Sequence, residues 1–123
     1  MSPALVEALE ARHPSFREKN LLRENVECGD GWFNLLDRLI TNIEARHPSG
    51  VMVNHVKEKW GLLRVGADGI DDWSFELLRA AERESATVCE VCGAVGVLRR
   101  GSPVATRCSA HVDASSDGQP RGW

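Results

Sequence analysis

The spacing of cysteine and histidine near the C-terminal end restricts the fold of this 123-residue chain more than any other feature. Cys89 and Cys92 form a C-x2-C pair, and Cys108 and His111 form a C-x2-H pair after fifteen intervening residues. Two close pairs of thiolate and imidazole ligands are what a tetrahedral Zn²⁺ site requires. The sequence therefore predicts that these four residues bind Zn²⁺.

The same spacing indicates a structural site rather than a catalytic or redox site. A catalytic zinc keeps one coordination position open and usually has three protein ligands, whereas four ligands fill a tetrahedral shell. In a thioredoxin-like redox site, the C-x2-C motif starts a helix. Here a helical pattern precedes Cys89, and Gly93 follows Cys92. This order is typical of a zinc knuckle in which the glycine adopts a positive φ.

Composition narrows the class of protein. The apolar fraction is 42% and the net charge is −3, so we expect a small globular domain without a general attraction to nucleic acid. The sequence has no apolar run long enough to cross a membrane, and its first residues lack the basic start and apolar region of a signal peptide. We therefore expect a cytoplasmic protein whose cysteines are metal ligands or free thiols.

Three segments have the spacing of amphipathic helices. Ser2 and Pro3 can cap and begin the first, and Pro14 should end it. The second follows Asp30, the predicted N-cap, and has an apolar stripe of Trp32, Leu35, Leu36, Leu39, Ile40 and Ile43. The third begins after Asp71 or Asp72, and its predicted buried face consists of Ile70, Trp73, Leu77, Ala81 and Ser85, with Leu78 beside them.

Two β-rich runs at 51–57 and 62–67 flank a polar turn that contains glycine, which predicts a hairpin. Strict alternation puts Val51, Val53 and His55 on one face of it, and Met52, Asn54 and Val56 on the other. A second short hairpin is predicted between the two ligand pairs.

These patterns predict an α+β fold in which two to three helices pack on a β-hairpin, followed by a zinc-binding module. Residues 88–111 resemble the zinc-ribbon and treble-clef families, and the choice between them depends on whether the second ligand pair begins a helix. We assign residues 1–87 to the α+β core, 88–111 to the zinc module and 112–123 to a flexible tail.

The predicted hairpin turn carries a cluster of cationic and aromatic residues. Lys57, Lys59, Trp60 and Arg64 lie at or near it, and the second hairpin adds the pair Arg99 and Arg100. One interpretation is a contact surface for an acidic partner or nucleic acid. The alternative is a solvated turn with Trp60 packed on the core.

Cys28 and Asp30 are weaker candidates for a catalytic site. A thiol just before a helix N-terminus can have a lowered pKa and act as a nucleophile, with Asp30 or a histidine assisting. The alternative is a small buried residue in a turn.

The string Glu-Ala-Arg-His-Pro-Ser occurs twice, at 10–15 and 44–49, and each copy closes a helical run. Either the copies present His13 and His47 to one ligand, or both are reused helix ends.

The chain resembles, over about residues 27–111, a set of small zinc-binding proteins from bacteria and phages. The shared motifs are Glu-Cys-Gly-Asp-Gly-Trp, Val-Lys-Glu-Lys-Trp-Gly-Leu-Leu-Arg, Ala-Glu-Arg-Glu-Ser, Cys-Glu-Val-Cys-Gly and Cys-x-x-His. The resemblance implies no particular activity. It does imply that the Gly-Asp-Gly-Trp turn and the hairpin turn form one unit with the zinc module, and a phage setting implies modulation or inhibition of a host protein.

Two classes of function follow. The favoured one is a non-enzymatic, zinc-stabilised interaction protein, with a protein as the first partner, nucleic acid as the second and no membrane. The other is an enzyme that uses Cys28 as its nucleophile.

Overall fold

The chain has an α+β fold, as the sequence predicts. The computed structural model describes residues 1–18, 26–101 and 103–112. The helices in these ranges are α1 (Pro3–Arg12), α2 (Pro14–Glu18), α3 (Phe33–Arg46) and α4 (Asp72–Ser85). The strands are β1 (Val26–Glu27), β2 (Met52–Lys59), β3 (Leu62–Asp68), β4 (Val97–Arg99) and β5 (Ala105–Arg107), and single 3₁₀ turns span Asp30–Trp32 and Ser109–His111. None of the described helices has the length and apolar character needed to cross a bilayer.

The larger sheet has the strand order β1-β2-β3, and β4 pairs with β5 in a separate antiparallel ribbon. The hairpin of β2 and β3 confirms the sequence prediction, and its turn consists of Trp60 and Gly61. Strand β1 pairs in parallel with β2 and was not predicted, because two residues are too short for a visible alternation pattern. Helix α2 was also unexpected as a separate element: Pro14 ends α1 but also begins α2.

A β-bulge corrects the predicted alternation of β2. The pairing register shifts between Val53 and His55, so Asn54 is an extra residue that reverses the direction of those that follow. As a result, Val51, Val53 and Val56 are all buried in one core cluster, although strict alternation placed Val56 opposite the other two. The hairpin therefore has an inner apolar face and an outer face that carries charged residues.

Helix α3 lies at the centre of the core, and its predicted apolar stripe is confirmed: Leu35, Leu36, Leu39, Ile40 and Ile43 are buried. The predicted face of α4 is confirmed at Leu78, Ala81 and Ser85, which are buried, and Ile70 and Leu77 pack against the core. It is wrong at Trp73, which is 48% exposed, while Ser74 is buried. The Ser85 hydroxyl accepts a hydrogen bond from the Leu63 N–H, which allows a polar residue in a buried stripe.

The two copies of the repeated string end α1 and α3 in the same way. His13 and His47 are the C-caps, with φ/ψ of −131°/72° and −126°/78°. Their rings have different partners. The ring of buried His13 lies 2.7 Å from Asp37 and 2.5 Å from Glu44, whereas Nε2 of His47 lies 3.1 Å from Ser74 Oγ. The structure therefore favours reused helix ends over a shared ligand.

Candidate metal centre

The four predicted ligands come together where the chain leaves α4. Cys89 and Cys92 lie on a tight turn in which the Gly93 N–H donates to the Cys89 carbonyl at 2.9 Å. Gly93 has a φ of +82°, as the zinc-knuckle interpretation predicts. Cys108 and His111 belong to a single 3₁₀ turn directly after β5. All four ligand atoms lie within 4.8 Å of one another, close enough to bind one metal ion.

The distances between these atoms match a tetrahedron. Sulfurs of Cys92 and Cys108 are 3.7 Å apart, and Nδ1 of His111 lies 3.9 Å from Cys89 Sγ and 3.2 Å from Cys108 Sγ. With ordinary zinc–ligand bond lengths, tetrahedral angles require about 3.8 Å between sulfurs and about 3.6 Å between sulfur and nitrogen. The geometry also identifies Nδ1 as the histidine atom that faces the site.

The electrostatics of the site favour thiolates and a cation between them. Burial raises the pKa of Cys89, but backbone N–H groups of Cys108, Cys92 and Val91 outweigh it and lower the pKa to about 6. The Ala94 N–H lowers the pKa of Cys92, but burial and the neighbouring sulfurs raise it overall. Crowded sulfurs disfavour a second negative charge, and a divalent cation would remove that conflict.

The Gly-Asp-Gly-Trp turn docks directly onto the knuckle. The Gly31 N–H donates to the Glu90 carbonyl at 2.8 Å, and Trp32 Nε1 donates to the Val88 carbonyl at 2.8 Å. A Cβ atom on Gly31 would lie 2.1 Å from the Cys89 carbonyl oxygen, so only glycine permits this approach. The sequence places these glycines directly before a helix but gives no sign that they form a docking surface for the metal-binding segment. We call residues 29–32 the docking turn.

The antiparallel ribbon of β4 and β5 also supports the turn of the β2–β3 hairpin. Thr106 Oγ1 donates to the Gly61 carbonyl at 2.6 Å, and the Glu90 N–H donates to the Thr106 carbonyl at 3.1 Å. The side chain of Leu98 and the backbone of Ala105 pack so closely on Gly61 that a Cβ atom there would lie 2.5 Å and 3.1 Å from them. The metal-binding segment therefore contacts both the docking turn and the hairpin turn.

A buried ion pair lies beneath the centre. Arg107 Nη2 is 3.5 Å from Glu90 Oε1, and each residue is only 1% exposed. The other carboxylate oxygen of Glu90 accepts from the Gly29 N–H at 3.0 Å. The burial of Arg107 was not predicted, because a charged residue between two ligand pairs gives no local sign of burial.

The two weaker catalytic candidates do not form a reactive pair. Cys28 is 4% exposed, and burial raises the pKa of its thiol to about 12, opposite to the lowered pKa that the nucleophile hypothesis requires. Asp30 is not the cap of α3, since Trp32 holds that position without a side-chain hydrogen bond. The Asp30 carboxylate instead accepts from the Ser2 N–H at 2.7 Å.

The candidate partner-binding residues divide into exposed and engaged groups. Lys57, Lys59, Arg64 and Arg100 are exposed, and Trp60 is 66% exposed, so the alternative in which Trp60 packs on the core is wrong. Arg99 is only partly exposed, and its Nε donates to the Arg107 carbonyl at 3.3 Å. Arg64 Nε lies 3.3 Å from Glu82 of α4.

Comparison with protein-family models, with curated proteins and with solved structures finds no match to this chain. The functional argument therefore depends on the residues and geometry of this molecule.

Proposed function

We propose that this chain is a small, non-enzymatic interaction protein stabilised by a structural Zn²⁺. The observation that carries the proposal is the convergence of four side chains that can bind a metal, Cys89, Cys92, Cys108 and His111, whose ligand atoms lie within 4.8 Å of one another. A site with four protein ligands leaves no coordination position for a substrate or a reactive water. The metal would then contribute stability rather than chemistry.

The donor set favours zinc over other metals. Three thiolates and one imidazole are soft and borderline ligands, which exclude Mg²⁺ and Ca²⁺ as residents, and tetrahedral geometry suits Zn²⁺. Thiolate ligation also persists best in a reducing compartment, which is consistent with a cytoplasmic location. The zinc would join the knuckle to the turn after β5, and through both to the docking turn and the hairpin turn.

An interaction role follows from the surface that the metal-binding segment supports. Both the docking turn and the β2–β3 turn contact the metal-binding segment, and the second of these presents exposed Trp60 beside Lys59. Exposed aromatic and cationic residues on a fixed turn are typical of contact sites. Sequence reasoning placed a protein first among the partners, and the resemblance to phage proteins adds modulation of a host protein as one role.

Metal analysis tests the structural part of this proposal. We expect one zinc per chain by elemental mass spectrometry, and cobalt(II) substitution should give the visible absorption of a tetrahedral thiolate site. Strong chelation should abolish cooperative thermal unfolding, and added Zn²⁺ should restore it. Metal-free protein that unfolds with an unchanged Tm would contradict the proposal.

Thiol reactivity tests the alternative enzyme. In zinc-loaded protein, we expect Cys28 to react with iodoacetamide much more slowly than the same thiol in denaturant, because burial raises its pKa to about 12 and blocks access. Peptide mass spectrometry would follow the modification of Cys28 separately from that of the ligands. Alkylation of Cys28 faster than in the denatured chain would revive the nucleophile hypothesis.

A further inference from the structure

The outer face of the β2–β3 hairpin combines aromatic rings with cations. His55, Lys57 and Lys59 follow the bulge at two-residue spacing, so their side chains share one face and recur about every 6.7 Å. Arg64 is the cross-strand partner of Lys57 and points to the same side. Trp60 follows Lys59 directly, at the turn, and is exposed. We call these five residues the hairpin face.

His55 forms a flat part of the hairpin face. It pairs across the strands with Gly66, and a Cβ atom on that glycine would lie 2.3 to 2.9 Å from three atoms of the imidazole ring. The ring therefore lies across the glycine, directly against the sheet, and remains partly exposed. A larger residue at position 66 would lift this ring from the sheet.

Trp60 is held rigidly in an unfavourable conformation. Its φ is +55° and that of Gly61 is +80°, the signs of a type I′ turn, in which asparagine or glycine is preferred over a bulky residue. The next residue, Gly61, is fixed on both sides: its N–H donates to Glu58 at 2.7 Å and its carbonyl accepts from Thr106 at 2.6 Å. The backbone of Trp60 is therefore strained, and its indole is 66% exposed. Backbone strain at an exposed side chain suggests that the indole binds another molecule.

The charge of the hairpin face is positive although the chain as a whole has a net charge of −3. Glu27 of β1 lies beside Lys57 in the sheet, and Arg64 pairs with Glu82 at 3.3 Å. Lys59 and Trp60 lie beyond the Glu27–Lys57 pair, toward the turn. A ligand that lies along β2 would therefore contact several cations in a row.

We propose that the hairpin face binds single-stranded nucleic acid, with bases stacked on Trp60 and His55 and phosphates near Lys57, Lys59 and Arg64. This inference rests on the proposed interaction function and names its partner. Sheet surfaces that combine exposed rings with cations bind single strands in this way, because unpaired bases offer π-faces that a duplex conceals. An acidic protein segment would use the cations but would leave the rings of His55 and Trp60 without a role.

Fluorescence anisotropy of zinc-loaded protein tests this proposal. The probes are labelled oligothymidylate and oligouridylate of about eight nucleotides, together with a duplex of the same length. We expect both single strands to bind more tightly than the duplex, and the better of the two identifies DNA or RNA. With three cations near phosphates, the slope of log affinity against log salt should be about −2.

Variants separate stacking from charge. Trp60→Ala should weaken binding about 5- to 100-fold, because stacking of one base is worth that much. The matched control is Trp73→Ala, which removes another surface indole, 48% exposed on α4, and should leave affinity unchanged. Trp60→Asn should also weaken binding while raising the Tm, since asparagine suits the turn. Lys57→Glu/Lys59→Glu should reduce both affinity and the salt slope.

Three results would overturn the inference: no binding of either single strand at low salt, equal loss of affinity in Trp73→Ala, or competition by hexaglutamate as strong as by oligothymidylate. The last of these would indicate an acidic protein partner. Zinc content and Tm are measured on the same sample. If zinc-loaded, folded protein binds neither oligonucleotide, this inference is wrong but the structural zinc is unaffected. If the folded protein contains no zinc, the proposed function itself is wrong.

Discussion

Cys108→Ser is expected to abolish stoichiometric zinc binding and to remove most of the stability of the fold. Zinc binding in small domains is worth about 10–16 kcal/mol, which is comparable to the whole stability of a domain of this size. The Cys108 sulfur faces both Cys92 and His111, at 3.7 and 3.2 Å, so its loss removes a central ligand. Thermal unfolding followed by near-ultraviolet circular dichroism, with zinc measured on the same sample, gives the readout.

The matched control is Ser109→Ala, a change at the next residue, which is exposed and outside the ligand set. It should leave zinc content and Tm unchanged. If Cys108→Ser keeps both the zinc and the Tm of the parent protein, the four-ligand site is wrong.

Gly31→Ala is expected to destabilise the protein by about 3 kcal/mol or more, the upper range for overpacking in a tightly packed site. The added methyl would lie 2.1 Å from the Cys89 carbonyl oxygen and 2.6 Å from the Gly93 nitrogen. Both are backbone atoms of the metal-binding turn, so neither can rotate away as a side chain would. The docking turn must separate from the knuckle, and we expect weaker zinc affinity along with the lower Tm.

Gly101→Ala provides the comparison, because its added methyl would meet only the Pro103 carbonyl oxygen, at 3.9 Å. Both variants make the same chemical change and neither position has a positive φ. Denaturant unfolding should therefore show a large loss for Gly31→Ala and a change within about 1 kcal/mol for Gly101→Ala. Equal stabilities would mean that the docking contact does not hold the metal-binding segment in place.

Local features of the chain were predictable, since their causes lie within a few residues. The ligand set follows from the Cys-x-x-Cys and Cys-x-x-His spacing, whose four ligand atoms lie together in the structure. The stripe of α3 follows from helical periodicity, and Asp71 caps α4 by accepting from the Ser74 N–H. Each of these depends on neighbours along the chain, which a sequence displays directly.

Features that depend on distant residues were missed. The bulge at Asn54 adds one residue to β2, so Val56 lies on the core face and not on the opposite face that strict alternation predicts. The burial of Ser74 on α4 depends on a partner in another element, His47, that helical periodicity does not reveal. The burial of Arg107 likewise depends on Glu90, a residue seventeen positions earlier. None of these has a signal in local hydrophobic spacing.

The hydrogen bond between the Leu63 N–H and the Ser85 hydroxyl, 2.9 Å long, has a consequence for self-association. Strand β3 is at the edge of its sheet, where unpaired backbone groups can recruit a strand from another molecule. Helix α4 runs along that edge and gives one of these groups an intramolecular acceptor. A buried serine at the end of a helix therefore removes one of the backbone donors through which a strand of another molecule could extend the sheet.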